Sequence, residues 1–144
     1  MKVKLEMKGL DELLRKLSAL GPAADAALGE AIEAGAEELR DRAIPNAPGP
    51  HIEIELRYLG GGRVIYYVGP DKAHYYYAFF ETGTKPHWVI PRQAQALKFG
   101  ERYAAKSHAG GVAAKPFMRP AIDEGKDAIA EKVGEVLKKA VEGV

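Results

Sequence analysis

Apolar and charged positions alternate in two stretches of the chain, and this period of two predicts β-strands. Residues 2–7 place apolar side chains on one side and charged side chains on the other, which is typical of a half-buried strand. Residues 52–58 alternate in the same way, residues 60–62 are all glycine, and residues 63–69 are apolar on both faces. The last three segments predict a β-hairpin whose second strand is the more central one.

A helical period replaces the strand period in three longer stretches. Leucines in residues 10–20 recur at i, i+3, i+4 and i+7, which predicts an amphipathic helix that ends at Gly21-Pro22. A second helix is predicted from Pro22 to Ala43, with a buried stripe rich in Ala and Gly. A third is predicted to run to the end of the chain, with Pro120 in its first turn.

The segment between the hairpin and the last helix shows no sustained periodicity of apolar and polar residues. Residues 74–81 are dense in aromatic side chains and predict a short helix that ends at Gly83. Residues 84–115 contain two candidate short strands, 88–90 and 97–99. We expect residues 84–115 to form a basic flexible loop, because long segments with poor periodicity are usually functional or mobile.

Composition agrees with one globular domain. The 144 residues are 47% hydrophobic and 28% charged, which is enough apolar material for a core. The predicted fold is a single α+β domain over residues 1–144, with a small antiparallel sheet, N-terminal helices and a long C-terminal helix packed against the sheet. The chain has no cysteine, which excludes disulfides, and no stretch approaches the roughly 18 apolar residues of a membrane span.

Charge is distributed unevenly, although the formal net charge is only +1. The predicted second helix is acidic, whereas residues 84–115 hold six basic residues against one acidic residue, a local charge of +5. One interpretation is that the basic segment and its aromatic side chains bind nucleic acid. The interpretation that we favour is contact with the acidic helix, within the molecule or on a neighbouring subunit. The candidate interface residues are Glu30, Glu33, Glu37, Lys85, Arg92, Lys98, Arg102 and Lys106.

Residue types that carry chemistry in enzymes form no recognisable pattern. The four histidines lack the spacings of zinc motifs, no serine lies in a nucleophile elbow, and the glycines at 60–62 lack the rest of a phosphate-binding loop. We therefore expect no cofactor, no metal and no enzymatic reaction.

Glu81 is unusual, because a carboxylate in the last turn of a helix faces the negative end of the helix dipole. Among so many aromatic side chains it is expected to be partly buried, and a buried charge needs a partner. Our hypothesis is that Arg119 is this partner. The alternative is that Glu81 acts as a general base with a histidine as the acid.

Two motifs resemble those of a known family. Residues 77–84 read Tyr-Ala-Phe-Phe-Glu-Thr-Gly-Thr, and residues 115–121 read Lys-Pro-Phe-Met-Arg-Pro-Ala. In this order and spacing they resemble the head–tail joining or tail-completion family of long-tailed double-stranded DNA phages and prophages. That family shows Tyr-Ala then Glu-x-Gly-Thr, followed by Pro-Phe-x-Arg-Pro-Ala at the start of the C-terminal helix. The motif residues are Tyr77, Glu81, Gly83, Thr84, Pro116, Phe117, Arg119 and Pro120.

The resemblance implies a structural protein of the virion neck or upper tail, present in the host cytoplasm before assembly. Such proteins form rings that join a DNA-filled head to a tail tube, and they catalyse no reaction. The implied partners are further copies of the chain, portal, connector or tail-tube proteins, and DNA passing through the ring. The acidic helix Pro22–Ala43 and the basic segment Thr84–Lys115 are our candidates for two complementary ring surfaces.

Two other functions stay open beside this one. The first is a small nucleic-acid-binding module that uses the basic aromatic segment 84–115. The second, which we rank lower, is a small hydrolase that uses Glu81 and a histidine.

Overall fold

The computed structural model describes residues 2–5, 15–16, 19–89, 97–99, 102–104 and 107–142. Most of the helix predicted over residues 10–20 lies outside these residues, although residues 15–16 are helical.

Three antiparallel strands form the sheet: β1 (Val3–Leu5), β2 (Ile52–Gly60) and β3 (Arg63–Pro70). Their order is β1-β3-β2, so β3 is central and the predicted hairpin is confirmed. Ile52 stands opposite Pro70, which makes the residues just before β2 and just after β3 close neighbours.

One long helix, α1 (Ala23–Ala43), lies against the sheet. Its seven alanines before position 43 favour the helix, because alanine loses the least side-chain entropy there. A 3₁₀ turn (Ile44–Asn46) follows, and further prolines prevent the helix from continuing. At the start of α1, Asp25 accepts a hydrogen bond from the Gly62 N–H at 3.0 Å, which fixes the turn of the hairpin to this end of the helix.

The last helix, α3 (Met118–Glu142), packs along α1, after a shorter helix described below. A glycine permits this close packing, since a Cβ atom at Gly125 would lie 2.7 Å from Cδ of Arg42. Val133 of α3 and Val68 of β3 belong to the same hydrophobic core, to which α1 also contributes. The predicted α+β fold, with a small antiparallel sheet and a long C-terminal helix packed with it, is confirmed.

The described part of the basic segment contains two pairs of short strands. The outer pair is β4 (His87–Val89) with β7 (Ser107–Ala109), and the inner pair is β5 (Leu97–Phe99) with β6 (Arg102–Ala104). Both pairs are antiparallel, and the inner pair is nested within the outer pair along the chain.

The structure adds two short strands, β6 and β7, to the two that were predicted in this segment. The predicted strand at 97–99 is confirmed, and the one predicted at 88–90 lies one residue earlier. Thr84 and Val112 form a further antiparallel bridge at the base of the pairs. We call residues 84–112 the ribbon segment. Among the described helices, none combines the length and the apolar character that a membrane span requires.

Candidate functional site

The first motif lies on a short helix, α2 (Tyr77–Thr82). Tyr77 is buried and meets the Phe117 ring edge-on, with ring centroids 6.3 Å apart and planes at 88°. Gly83 ends the helix with φ at 74°, a conformation that favours glycine. The predicted short helix that ends at Gly83 is confirmed. Because α2 is anchored in the core at Tyr77, its last turn holds Glu81 against the start of α3.

Glu81 accepts hydrogen bonds from three consecutive backbone N–H groups at the start of α3. Its Oε2 accepts from Phe117 at 2.7 Å and from Met118 at 2.9 Å, and its Oε1 accepts from Arg119 at 3.0 Å. The next residue, Pro120, has no N–H group. The N–H positions that the first turn of a helix leaves without internal partners are therefore fully accounted for.

A carboxylate at position 81 suits the electrostatics of this contact. The start of a helix is its positive end, and a negative charge there stabilises by about 0.3–1 kcal/mol, or up to about 2 kcal/mol when partly buried. Phe117, which occupies the cap position, has no side-chain oxygen to accept from the helix. The helix therefore takes its cap from a residue 36 positions earlier in the chain.

The hypothesis that the Arg119 side chain pairs with Glu81 is wrong. Glu81 meets Arg119 through the backbone N–H, and the described contacts include no ion pair between the two side chains. The Arg119 residue is exposed. No described histidine forms a hydrogen bond with Glu81.

Close backbone contacts beside Glu81 hold the two ends of the ribbon segment. The Thr84 N–H donates to the Val112 carbonyl at 2.9 Å, and the Val112 N–H donates back to the Thr84 carbonyl at 3.1 Å. A Cβ atom at Gly83 would lie 2.9 Å from the Val112 carbonyl oxygen, and one at Gly111 would lie 2.7 Å from the Thr84 carbonyl oxygen. Both positions therefore require glycine for the two backbones to approach.

Two further motif residues complete this region. The Lys115 N–H donates to the Phe80 carbonyl at 2.6 Å, and the exposed Pro116 then leads into the cap. Hydrogen bonds thus join residues 80–84 to residues 112–119. We call these two joined segments the clasp. The structure brings the two motifs together as one structural unit.

An open groove lies between α2 and the base of the ribbon segment, with a volume of about 670 Å³. Tyr76, Phe79 and Phe80 line one side, and Lys85, His87 and residues 110–112 line the other. Tyr76 and Phe79 are 43% and 47% exposed, which is high for large apolar side chains. We call this feature the aromatic groove.

The candidate residues on α1 form one exposed line. Glu30, Glu33 and Glu37 all face solvent, and we call them the acidic face. Leu56 and Leu59 of β2 are also exposed. Leu56 stands opposite Tyr66, and burial together with the charges of Glu33 and Glu37 raises the pKa of the Tyr66 phenol. Apolar and acidic side chains therefore adjoin on this side of the molecule.

The candidate basic residues are described only in part. Lys85 is exposed at the rim of the aromatic groove. Lys98 lies on β5 and Arg102 on β6, and only their backbones are described. Arg92 and Lys106 lie outside the described residues. Among the described residues, no ion pair joins the acidic face to the basic segment.

A cluster of His51, Asp71 and His74, which the sequence analysis did not find, lies at the open end of the hairpin. The two imidazole rings are stacked, with centroids 3.7 Å apart and planes at 3°. His74 Nδ1 lies 2.6 Å from Asp71 Oδ1, and His51 Nδ1 lies 3.8 Å from Asp71 Oδ2. The pKa of the Asp71 carboxyl is lowered, mainly by the hydrogen bond with the His74 side chain and further by the hydrogen bond from the His74 backbone N–H.

The hairpin prediction contains the signal for this cluster. His51 precedes β2 and Asp71 follows β3, so the register of the hairpin makes them neighbours. His74 follows Asp71 by three residues, which brings a second histidine to the same place. A search for metal motifs along the sequence alone overlooks ligands that a sheet register brings together.

Comparison with known proteins adds no relative. A scan against protein-family models, a search of curated proteins and a search of solved structures each gave no match for this chain.

Proposed function

We propose that this chain is a structural assembly protein of the neck or upper tail of a long-tailed phage, where copies form a ring that joins the DNA-filled head to the tail. The observation that carries the proposal is the clasp. The two motifs that resemble the head–tail joining family are separated by residues 85–114, yet Glu81 of the first caps the helix that the second opens.

The clasp gives the motif residues structural tasks that involve no substrate. Tyr77 and Phe117 pack in the core, Glu81 caps α3, Gly83 permits a close backbone approach, and Thr84 bridges to the far side of the ribbon segment. A set of residues with these tasks supports a scaffold whose binding surfaces lie elsewhere.

Two exposed surfaces of different character support assembly in a ring. One combines the acidic face with Leu56 and Leu59, and the other combines the aromatic groove with Lys85 and the basic ribbon segment. Exposed apolar patches with opposite charges at their margins are complementary, and charge fixes their register.

The acidic face lies along the middle of α1, and Leu59 and the clasp lie toward opposite ends of this helix. Leu59 is near Gly29 and the hairpin turn, toward the start of α1. The clasp is at the start of α3, and α3 packs against Arg42 at the end of α1. The 21 residues of α1 span about 30 Å at about 1.5 Å per residue. Two different surfaces permit the head-to-tail contacts from which a closed ring is built.

The experiment is charge reversal on the acidic face. In the double variant Glu33→Lys/Glu37→Lys, we expect a loss of assembly of at least tenfold, because like charges then meet across the contact. Native mass spectrometry over a range of concentrations measures ring formation. Co-expression with portal and tail-tube proteins encoded near the chain measures capture into particles.

The matched control is Glu131→Lys/Glu135→Lys, which makes the same charge change on exposed positions of α3. We expect this control to assemble normally. A compensating variant adds Lys85→Glu to the first pair and is expected to restore part of the assembly. Equal assembly of the acidic-face variant and its control would refute the proposed surface, and failure of the parent chain to assemble with any neck or tail protein would refute the function.

One observation favours the nucleic-acid-binding alternative. The basic segment is built of antiparallel strand pairs, and a two-stranded ribbon fits the major groove of DNA. Salt-sensitive DNA binding by the isolated chain, in the absence of neck or tail proteins, would support this alternative over the ring.

A further inference from the structure

We propose that His51, Asp71 and His74 form a binding site for one divalent transition-metal ion, with zinc as the representative ion. The three residues come from different elements, namely the lead into β2, the exit from β3, and the 3₁₀ turn Lys72–His74. None of the three residues lines the aromatic groove or the acidic face, and the site does not rest on the proposed function.

Backbone hydrogen bonds hold the three residues in place. The Asp71 N–H donates to the His51 carbonyl at 3.2 Å, which closes the open end of the hairpin. Asp71 Oδ1 then accepts from the His74 N–H at 2.9 Å and caps the 3₁₀ turn. The main chain therefore sets the backbone positions of the three residues, while the exposed His51 ring can still rotate.

The donor set is one that transition metals prefer. Two imidazole nitrogens and one carboxylate oxygen suit Zn²⁺, Ni²⁺ or Fe²⁺, and they suit Mg²⁺ or Ca²⁺ poorly because those ions prefer oxygen ligands throughout. Three protein ligands leave at least one coordination position for water.

The distances are close to those of a metal site. One ligand atom from each residue lies within 4.8 Å of the others. Zinc bonds to nitrogen and oxygen are about 2.0–2.2 Å long, which places the ligand atoms of one ion about 3–4 Å apart. The three atoms must therefore approach one another by about 1 Å.

Rotation of one ring achieves this approach. Parallel rings direct their nitrogen lone pairs side by side, whereas a shared ion needs lone pairs that converge. The His51 side chain is 48% exposed, so it turns about its Cβ–Cγ bond without disturbing the core. His74 is more buried, with Tyr77 5.5 Å away between ring centroids, and it keeps its orientation.

A bound ion would join the open end of the hairpin to the turn that leads into α2. That turn is three residues from Tyr77, which anchors α2 in the core. An ion that binds the folded chain and not the unfolded chain raises the melting temperature in a concentration-dependent manner.

The test uses the full chain without a histidine tag, after treatment with a chelator. Titration with zinc chloride in a calorimeter is expected to show one zinc ion per chain, and the melting temperature is expected to rise with zinc concentration. Cobalt(II) absorption spectra report the ligands directly. We expect His51→Ala and Asp71→Asn each to weaken zinc binding at least tenfold.

The matched control is His87→Ala, because His87 is exposed and lies outside the cluster. Its zinc affinity is expected to equal that of the parent chain. Circular dichroism checks that each variant is folded, and His51→Ala is the decisive variant because its exposed ring is not part of the core. The proposal is overturned by a parent chain that binds no zinc, by unchanged affinity in His51→Ala, or by an equal loss in His87→Ala.

Discussion

At the scale of single residues, Glu81 makes a contact that joins two distant parts of the chain. One carboxylate satisfies three N–H groups of a helix that lies far along the chain, and Pro120 removes the fourth donor. This division of tasks explains why the second motif begins a helix without a capping residue of its own.

The first prediction concerns the removal of this carboxylate. Glu81→Ala should lower the free energy of unfolding by about 2–4 kcal/mol, because a lost cap costs about 0.5–2 kcal/mol and part-buried N–H groups without partners add to that cost. Glu81→Gln should cost less, since the amide oxygen still accepts hydrogen bonds. Urea unfolding followed by circular dichroism measures both variants.

Glu124→Ala is the control, because Glu124 is an exposed carboxylate on the same helix. It should change the free energy of unfolding by less than about 0.5 kcal/mol. If Glu81→Ala were as mild as this control, the cap would not contribute to stability.

The sequence identifies Glu81 as a residue that needs a partner but does not identify the partner. Charge arguments favour the Arg119 guanidinium, whereas the structure uses the backbone N–H of the same residue. The signal that points to the correct answer is Phe117, because a helix that starts with phenylalanine in the cap position must find a cap elsewhere. The His51 cluster escapes prediction for a similar reason, since its members meet only through the register of a hairpin.

At the scale of elements, hydrophobic period predicts the long segments well. The period of 3.6 finds α1 and α3, and the alternation in residues 52–58 finds the hairpin, because each element buries one face against the core. Strands β6 and β7 are missed although β4 and β5, which are equally short, are found, since Arg-Tyr-Ala and Ser-His-Ala carry less apolar signal than His-Trp-Val and Leu-Lys-Phe.

The second prediction concerns the packing of α1 on the sheet. Burial raises the pKa of Tyr66 above its usual value near 10, and Glu33 and Glu37 add to the shift. Glu33→Gln/Glu37→Gln should therefore lower the Tyr66 pKa without returning it to the usual value, because burial is the largest cause. A titration of ¹³C-labelled tyrosine by NMR measures the change.

The sign of the linked stability follows from the same shift. A pKa raised in the folded state gives a contribution that is complete below about pH 10 and is lost as pH rises through the folded pKa. Tyr66→Phe should thus lose less stability than the parent chain between neutral and strongly alkaline pH. Tyr75→Phe, which alters a residue that is 68% exposed, should behave like the parent. Identical alkaline profiles for all three chains would contradict the assignment.

At the scale of the whole molecule, the core and the proposed assembly surfaces are separate. Residues 85–88 and 110–112, the part of this segment whose side chains are described, do not belong to the buried core, while Thr84 and Val112 hold the ends of the segment together. We therefore expect the ribbon segment to contribute little to the stability of the fold.

The third prediction tests this separation. Replacement of residues 86–110 by Asn-Gly, which favours a tight turn, should change the free energy of unfolding by no more than about 1 kcal/mol. Assembly with neck or tail proteins should be lost, because one of the two proposed surfaces is removed. Urea unfolding and native mass spectrometry measure the two properties.

A second variant distinguishes shape from charge. It keeps the segment and replaces Arg92, Lys98, Arg102 and Lys106 by glutamine, and it should assemble weakly rather than not at all. A shortened chain that unfolds, or that assembles as well as the parent, would show that core and assembly surface are not separate.

The distance along the chain between Glu81 and its helix also affects how the molecule folds. Bringing together groups 36 residues apart in an open chain costs about 3 kcal/mol of closure entropy, as (3/2)RT ln n. The nested strand pairs divide this closure into short steps, since β5 and β6 are separated only by residues 100–101 and each outer contact adds a few residues more. We therefore expect the ribbon segment to speed folding, because pairing of its strands from the inner pair outwards would bring Glu81 to the helix that it caps.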